Sequence, residues 1–247
     1  GKHGTRSDAG QHEYARGSSV RRRDFLGPID EHRARGQFCG VKPYFQTEDG
    51  SIRIFHARWE DVLAAGVFAP KDIALIHADP PYGLVQVFGG RGRGRTVNPG
   101  NAPLREREWA PVVGDDKPYS PQSILDLDRP TVLWGANHYA GRFLSSSPSW
   151  IVWDKREDGT SDNGADCELA WTNLGGAARL FRHLWRGTCR ASEIGLVHLH
   201  PTQKPEALSA WVFTHAMARK KLKKGDTILI PYMGSGPDLR PAQAMGF

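Results

Sequence analysis

Short apolar runs that end abruptly in glycine, proline or polar residues recur along this chain. Ile73-Ala74-Leu75-Ile76 leads through His77 into Ala78-Asp79-Pro80-Pro81-Tyr82-Gly83, and Thr131-Val132-Leu133-Trp134 leads into Gly135-Ala136-Asn137-His138-Tyr139. Ser149-Trp150-Ile151-Val152-Trp153 ends in Asp154-Lys155, and Ile228-Leu229-Ile230 runs into Pro231-Tyr232-Met233-Gly234-Ser235-Gly236. Runs of this length suit strands buried on both faces of a sheet, and the stretches between them have room for crossover helices. The pattern predicts an α/β fold with a doubly wound sheet whose carboxyl edge gathers the polar residues into one pocket. Leu169-Ala170-Trp171-Thr172 reads as a further strand, and Asp49-Gly50 as the turn of a hairpin between Tyr44-Phe45 and Ile52 to Phe55.

Helical spacing appears twice. Trp59, Val62 and Leu63 form one apolar stripe, with Gly66 as its stop. Leu208, Trp211, Val212, His215 and Met217 form a longer one, followed by a basic turn over 220–224 and closed by Gly225. Residues 1–40 lack either period and are studded with arginine, which predicts a basic, flexible arm in front of a domain spanning 41–247. That arm fits both a solvated tail and a contact to phosphates. Gly89 to Arg95 alternates glycine with Arg91, Arg93 and Arg95, which suits a DNA-contacting loop and a plain connector equally.

Composition narrows the classes. The chain has 247 residues, 39% of them hydrophobic, enough for one sizeable core. Its net charge of +6 points to a polyanionic partner. Three cysteines, Cys39, Cys167 and Cys189, are too few and too scattered for a disulfide framework or a zinc site, which fits a reducing cytoplasm. No apolar run reaches membrane-spanning length and no signal peptide is visible.

The chemistry concentrates at Asp79-Pro80-Pro81-Tyr82. Two successive prolines stop the strand in a rigid turn and hold a carboxylate and a phenol at its carboxyl end, where ligands bind in open α/β sheets. An ordinary surface turn is the plainer alternative for these four residues alone. His200-Pro201-Thr202-Gln203-Lys204-Pro205, ahead of the long helix, and the Gly234-Ser235-Gly236 loop favour a site. Between them, Arg179, Arg182 and Arg186 interleave with Phe181, His183 and Trp185, a mixture that suits nucleic acid and also a bland amphipathic face.

Asp79 to Tyr82, then His200 to Pro205, then the glycine loop, together resemble the amino-methylating DNA methyltransferases in the motif order of their beta class. Trp134 to Asn137, Trp150 to Lys155 and Glu168 to Asn173 are similar to the family's middle strands. The resemblance implies a Rossmann-like sheet in circularly permuted order and transfer of a methyl group from S-adenosylmethionine to the exocyclic amino group of adenine, or less often cytosine, in DNA. It implies that Asp79 and the carbonyl of Pro80 accept from the amino hydrogens in the rigid turn with Pro81, and that Tyr82 stacks on the flipped base. It places Asp79, Thr202, Gln203, Lys204, Tyr232, Gly234, Ser235 and Gly236 around the cofactor, and target recognition within 174–199.

The chain departs from the family pattern at Ile230, where an acid is expected near the cofactor, and at Pro237, where a threonine would cap the next helix; Asp238 is the available substitute cap. Pro241 adds strain to that helix, and the strand expected to follow it, with the acid that binds the cofactor ribose, is missing before Phe247. These departures keep three alternatives open: a catalytically silent DNA-binding relative, methylation of cytosine, and methylation of an amino group in RNA or protein.

Overall fold

The fold, a computed structural model, describes residues 41–84, 112–156, 164–186, 189–196, 199–200 and 202–247. The expectations for the arm over 1–40, for Arg91, Arg93 and Arg95, and for Pro201 lie outside these residues. The hairpin forms as read: β1 (Phe45–Gln46) and β2 (Arg53–Ile54) pair antiparallel, Phe45 opposite Ile54. Its turn closes through the Ser51 N–H, which donates to Asp49 Oδ1 at 3.1 Å. Helix α1 (Trp59–Ala64) buries Trp59 and Val62, and Gly66 follows its end at φ 71°.

The remaining elements are β3 (Ile73–Ala78), α2 (Gln122–Leu125), β4 (Thr131–Trp134), α3 (Ala140–Phe143), β5 (Trp150–Asp154), β6 (Cys167–Thr172), β7 (Arg179–Arg182), β8 (Trp185–Arg186), β9 (Cys189–Arg190), α4 (Glu206–Lys220), β10 (Thr227–Leu229) and α5 (Leu239–Met245). Six strands make one mixed sheet in the order β10-β3-β4-β6-β5-β7. β6 runs antiparallel to both β4 and β5, while β10, β3 and β4 are mutually parallel and β7 is parallel to β5. β6 is reversed because it returns directly from β5, closing with Lys155 N–H on Asp166 O at 3.0 Å.

Helices cover both faces, as an α/β fold requires. On one face Leu75, Val132, Trp134, Ile151 and Trp153 pack with Leu208, Val212, Phe213 and Ala216 of α4. Each of the large α4 side chains contributes about 1.5–3 kcal/mol by leaving water. On the other face Ile76, Ala78 and Leu133 meet Trp59 of α1 and Ile124 of α2. Trp211 and His215 stand at the flank of α4, stacked on one another at 5.4 Å, so the buried stripe is rotated from the one the spacing predicts.

Three local readings change. α4 ends on Lys221 in the left-handed conformation, φ 56°, and Gly225 serves the next turn instead, its N–H donating to Gly246 O at 2.7 Å. Asp238 makes no side-chain cap on α5; its carboxylate is buried and spent elsewhere. Pro241 is the third residue of α5, within the first turn, where an N–H would have no helical partner in any case.

Candidate active site at the sheet's carboxyl edge

The parallel pairing of β10 with β3, Leu229 opposite Ile76, brings the Gly234–Gly236 loop and the Asp79 turn out of neighbouring strands at the same edge. The turn is rigid beyond its prolines. Gly83 N–H and Leu84 N–H both donate to Asp115 Oδ1, at 2.9 and 3.2 Å. Gly83 sits at φ 76°, with the Lys117 carbonyl where a Cβ would go.

Asp79 is held on both oxygens. Tyr82 donates its hydroxyl to Oδ1 at 2.6 Å, and the Lys204 ammonium meets Oδ2 at 2.7 Å. Lys204 Nζ lies 2.9 Å from Glu168 Oε2 as well, an ion contact outside hydrogen-bond geometry. Glu168 Oε1 accepts from Lys155 Nζ at 3.0 Å. Each Asp79 oxygen has two lone pairs, so the carboxylate keeps acceptor capacity toward the solvent side, where it is 28% exposed.

The charges in this cluster hold one another. Burial disfavours the Lys204 ammonium, yet Asp79 and Glu168 outweigh that and keep it protonated well above the ordinary lysine range. Burial likewise works against the Glu168 charge, and Lys204 and then Lys155 bring its carboxyl from 4.5 down to about 2. A carboxylate depressed in the folded state stabilises the fold above its unfolded value and loses that contribution as pH falls toward 2. The contribution is on the order of 3 kcal/mol, so the stability gap between the wild type and Glu168→Gln is expected to narrow from pH 6 to pH 3 in chemical denaturation. A gap that stays constant would contradict it.

The Tyr82 ring has an aromatic partner within the fold. It stacks on His138, centroids 5.0 Å apart and planes 23° from parallel. Burial pushes the Tyr82 phenol well above its ordinary range, so it stays a donor to Asp79. Gly135 makes room for it: a Cβ there would fall inside the Tyr82 ring, and Gly135 already lies at φ 66°. Gly135→Ala is expected to cost roughly 2–4 kcal/mol in denaturant unfolding, from left-handed strain and overpacking together. An unchanged midpoint would show that the turn yields without cost.

Beneath the turn lies a second polar group. His77 Nδ1 meets Asp238 Oδ1 at 2.9 Å, Trp134 Nε1–H donates to His77 Nε2 at 2.8 Å, and Ser209 Oγ donates to Asp238 Oδ1 at 2.6 Å. An indole can only donate, so Nε2 is the acceptor and Nδ1 carries the proton toward Asp238. Burial opposes the Asp238 charge, but His77 and then Ser209 outweigh it and hold the carboxyl below the ordinary range. This network ties β3, α4 and the start of α5 together and leaves no member exposed for chemistry.

The other expected site residues divide. Lys204 reaches Asp79, and Gln203 is held locally: its carbonyl accepts from Trp185 Nε1 at 2.9 Å and its Oε1 from Leu199 N–H at 2.9 Å. Thr202 pairs with His200 Nδ1 at 3.1 Å on the surface, and Pro80 is buried under the turn beside half-buried Pro81. Tyr232 donates to Tyr119 Oη at 3.5 Å, and its ring meets Tyr119 edge-on. Gly234 and Gly236 take φ 55° and 76°, Gly234 with nothing within 4 Å of a Cβ, and half-buried Ser235 lies between them. Arg179, Arg182 and Arg186 are exposed on β7 and β8, Arg182 3.6 Å from Asp154. β7 is four strands from β3, roughly 19 Å at about 4.8 Å per strand, so Arg179 and Arg182 stand apart from Asp79.

Glu168, Lys155 and His138 are site residues that the sequence reading names only as members of strand segments, without a role. Glu168 had two signals, a carboxylate ahead of the apolar run Leu169-Ala170-Trp171 and its place at the head of the segment Glu168 to Asn173. No known family model matches this chain, and no curated protein matches it significantly.

Proposed function

We propose that the chain is an S-adenosylmethionine-dependent methyltransferase acting on an exocyclic amino group in DNA, adenine first, with a Rossmann-like sheet in permuted order. One observation carries the reading: Asp79 and the glycine loop lie more than 140 residues apart in sequence, yet emerge from adjacent parallel strands at one edge. Gly234, left-handed and with open space at its Cβ position, fits close approach of a ligand to the backbone, and Gly234–Gly236 is the segment that would hold the cofactor. S-adenosylmethionine, when bound, supplies an already activated methyl group.

The chain's own residues do the rest. Asp79, fixed by Tyr82 and Lys204, presents its remaining lone pairs to an amino hydrogen, which orients a weakly nucleophilic nitrogen. The buried His77–Asp238 contact keeps β3 and α5 in one register as the turn is loaded. Arg179, Arg182 and Arg186 supply positive charge to one side, where a phosphate backbone can run. Among the described residues no helix is long and apolar enough to cross a membrane.

Incubation with labelled S-adenosylmethionine and duplexes of varied sequence tests this, with RNA as competitor. Label in the exocyclic amino group of adenine is the expected result; absence of transfer to any duplex sinks the reading. The occupied state of Asp79, together with Ile230 in place of an acid, favours a second reading, a catalytically silent DNA-binding relative. Calorimetry separates them, because saturable binding of S-adenosylmethionine counts against the silent form.

A further inference from the structure

Nothing in the methyl-transfer reading uses Glu168 or Lys155, yet they form half of a line of alternating charge, Lys155–Glu168–Lys204–Asp79, with contacts of 3.0, 2.9 and 2.7 Å. We propose that Glu168 is a positioning residue: it shares the Lys204 ammonium with Asp79 and so leaves Asp79 able to accept from a substrate's amino group. This rests on the reading of the edge as an amine-binding site.

Lys204 is only 7% exposed, so its ammonium cannot turn to water and must divide its charge between the two carboxylates. Glu168 is itself fixed. β6 carries it opposite Trp153 of β5, and Lys155, two residues further on, reaches Oε1 while standing 5.6 Å from the Trp153 ring centroid. The four charges sum to zero. Without Glu168 the cluster has one positive charge in excess, and the buried ammonium has Asp79 as its sole remaining carboxylate in the line. Asp79 is then neutralised by a full ion pair, and an acceptor so neutralised holds an amine less strongly.

Wild type, Glu168→Gln and Glu168→Asp are compared as full chains by two readouts. The first is the reactivity of Lys204 toward acetic anhydride under native conditions, read by mass spectrometry. Loss of one carboxylate partner lowers the lysine's hold on its proton, so labelling is expected to rise about 5-fold or more in Glu168→Gln and to return toward wild type in Glu168→Asp. The second is single-turnover methyl transfer, expected to fall about 10-fold or more with half-saturating DNA changed less than about 3-fold, the pattern of a lost reaction-specific contact. Where Glu168→Gln does not fold, the pair Lys155→Met with Glu168→Gln removes one charge of each sign and replaces it in both assays.

Unchanged Lys204 reactivity in a folded variant overturns the proposal, as do equal single-turnover rates. A wild type that transfers no methyl group defeats the transferase reading instead, and the labelling by itself then decides whether Glu168 positions Lys204.

Discussion

Replacing Asp79 with Asn is expected to lower methyl transfer by about 10²–10³-fold while the chain still folds, the scale of losing one preorganised electrostatic group. The substitution keeps the shape. Oδ1 can still accept from Tyr82, which sits 2.6 Å away, but the amide nitrogen that replaces Oδ2 is a donor facing the donor Lys204 at 2.7 Å. The site then has no charged acceptor for an amino hydrogen. Calorimetric affinity for S-adenosylmethionine should fall less than transfer does, because Asp79 shares the cofactor with the glycine loop, which belongs to a different strand. Transfer at the wild-type rate by the Asn variant would remove Asp79 from the mechanism.

Lys204→Met should cost roughly 3–5 kcal/mol of stability at neutral pH, the scale of breaking a buried ion pair from one side. Two carboxylates, Asp79 and Glu168, converge on that ammonium, with side chains only 28% and 26% exposed. A methionine fills the volume but leaves them facing each other, with Lys155 alone to offset Glu168. Protonation relieves the repulsion, so the deficit should shrink as pH falls. Urea unfolding at pH 7 and pH 4 reads both features. A deficit under about 1 kcal/mol at pH 7 would mean that the cluster is solvated like an exposed pair.

How far the site was legible depends on the kind of signal each residue leaves. Asp79 is readable because prolines on a strand end announce a rigid turn. Glu168 and Lys155 stand in segments that are readable, but their role is not, since one charged residue at the start of a strand or just past its end looks like solvent-facing polarity until its neighbours across the sheet are known. Asp238 shows the opposite failure. Beside a helix start it looks like a cap, and the structure gives it to His77, 161 residues away. Trp211 and His215 match a helical stripe but flank the buried one, because helix rotation is set by what the sheet offers.

Local chain preferences determined β3, β4, β5, β6 and β10, the hairpin turn, both main helices and the rigid carboxylate turn, since burial period, proline stiffness and turn chemistry act within a few residues, whereas β7, β8 and β9 left no strand signal in Arg179 to Arg190. Tertiary structure alone decided that β6 runs backwards between β4 and β5, that Tyr82 lies on Gly135 and stacks with His138, and that Lys204 is divided between Asp79 and Glu168. Those outcomes depend on strand order and on pairing charges across long separations, and the energy of such a contact exists only once the sheet has brought its partners within a few ångströms.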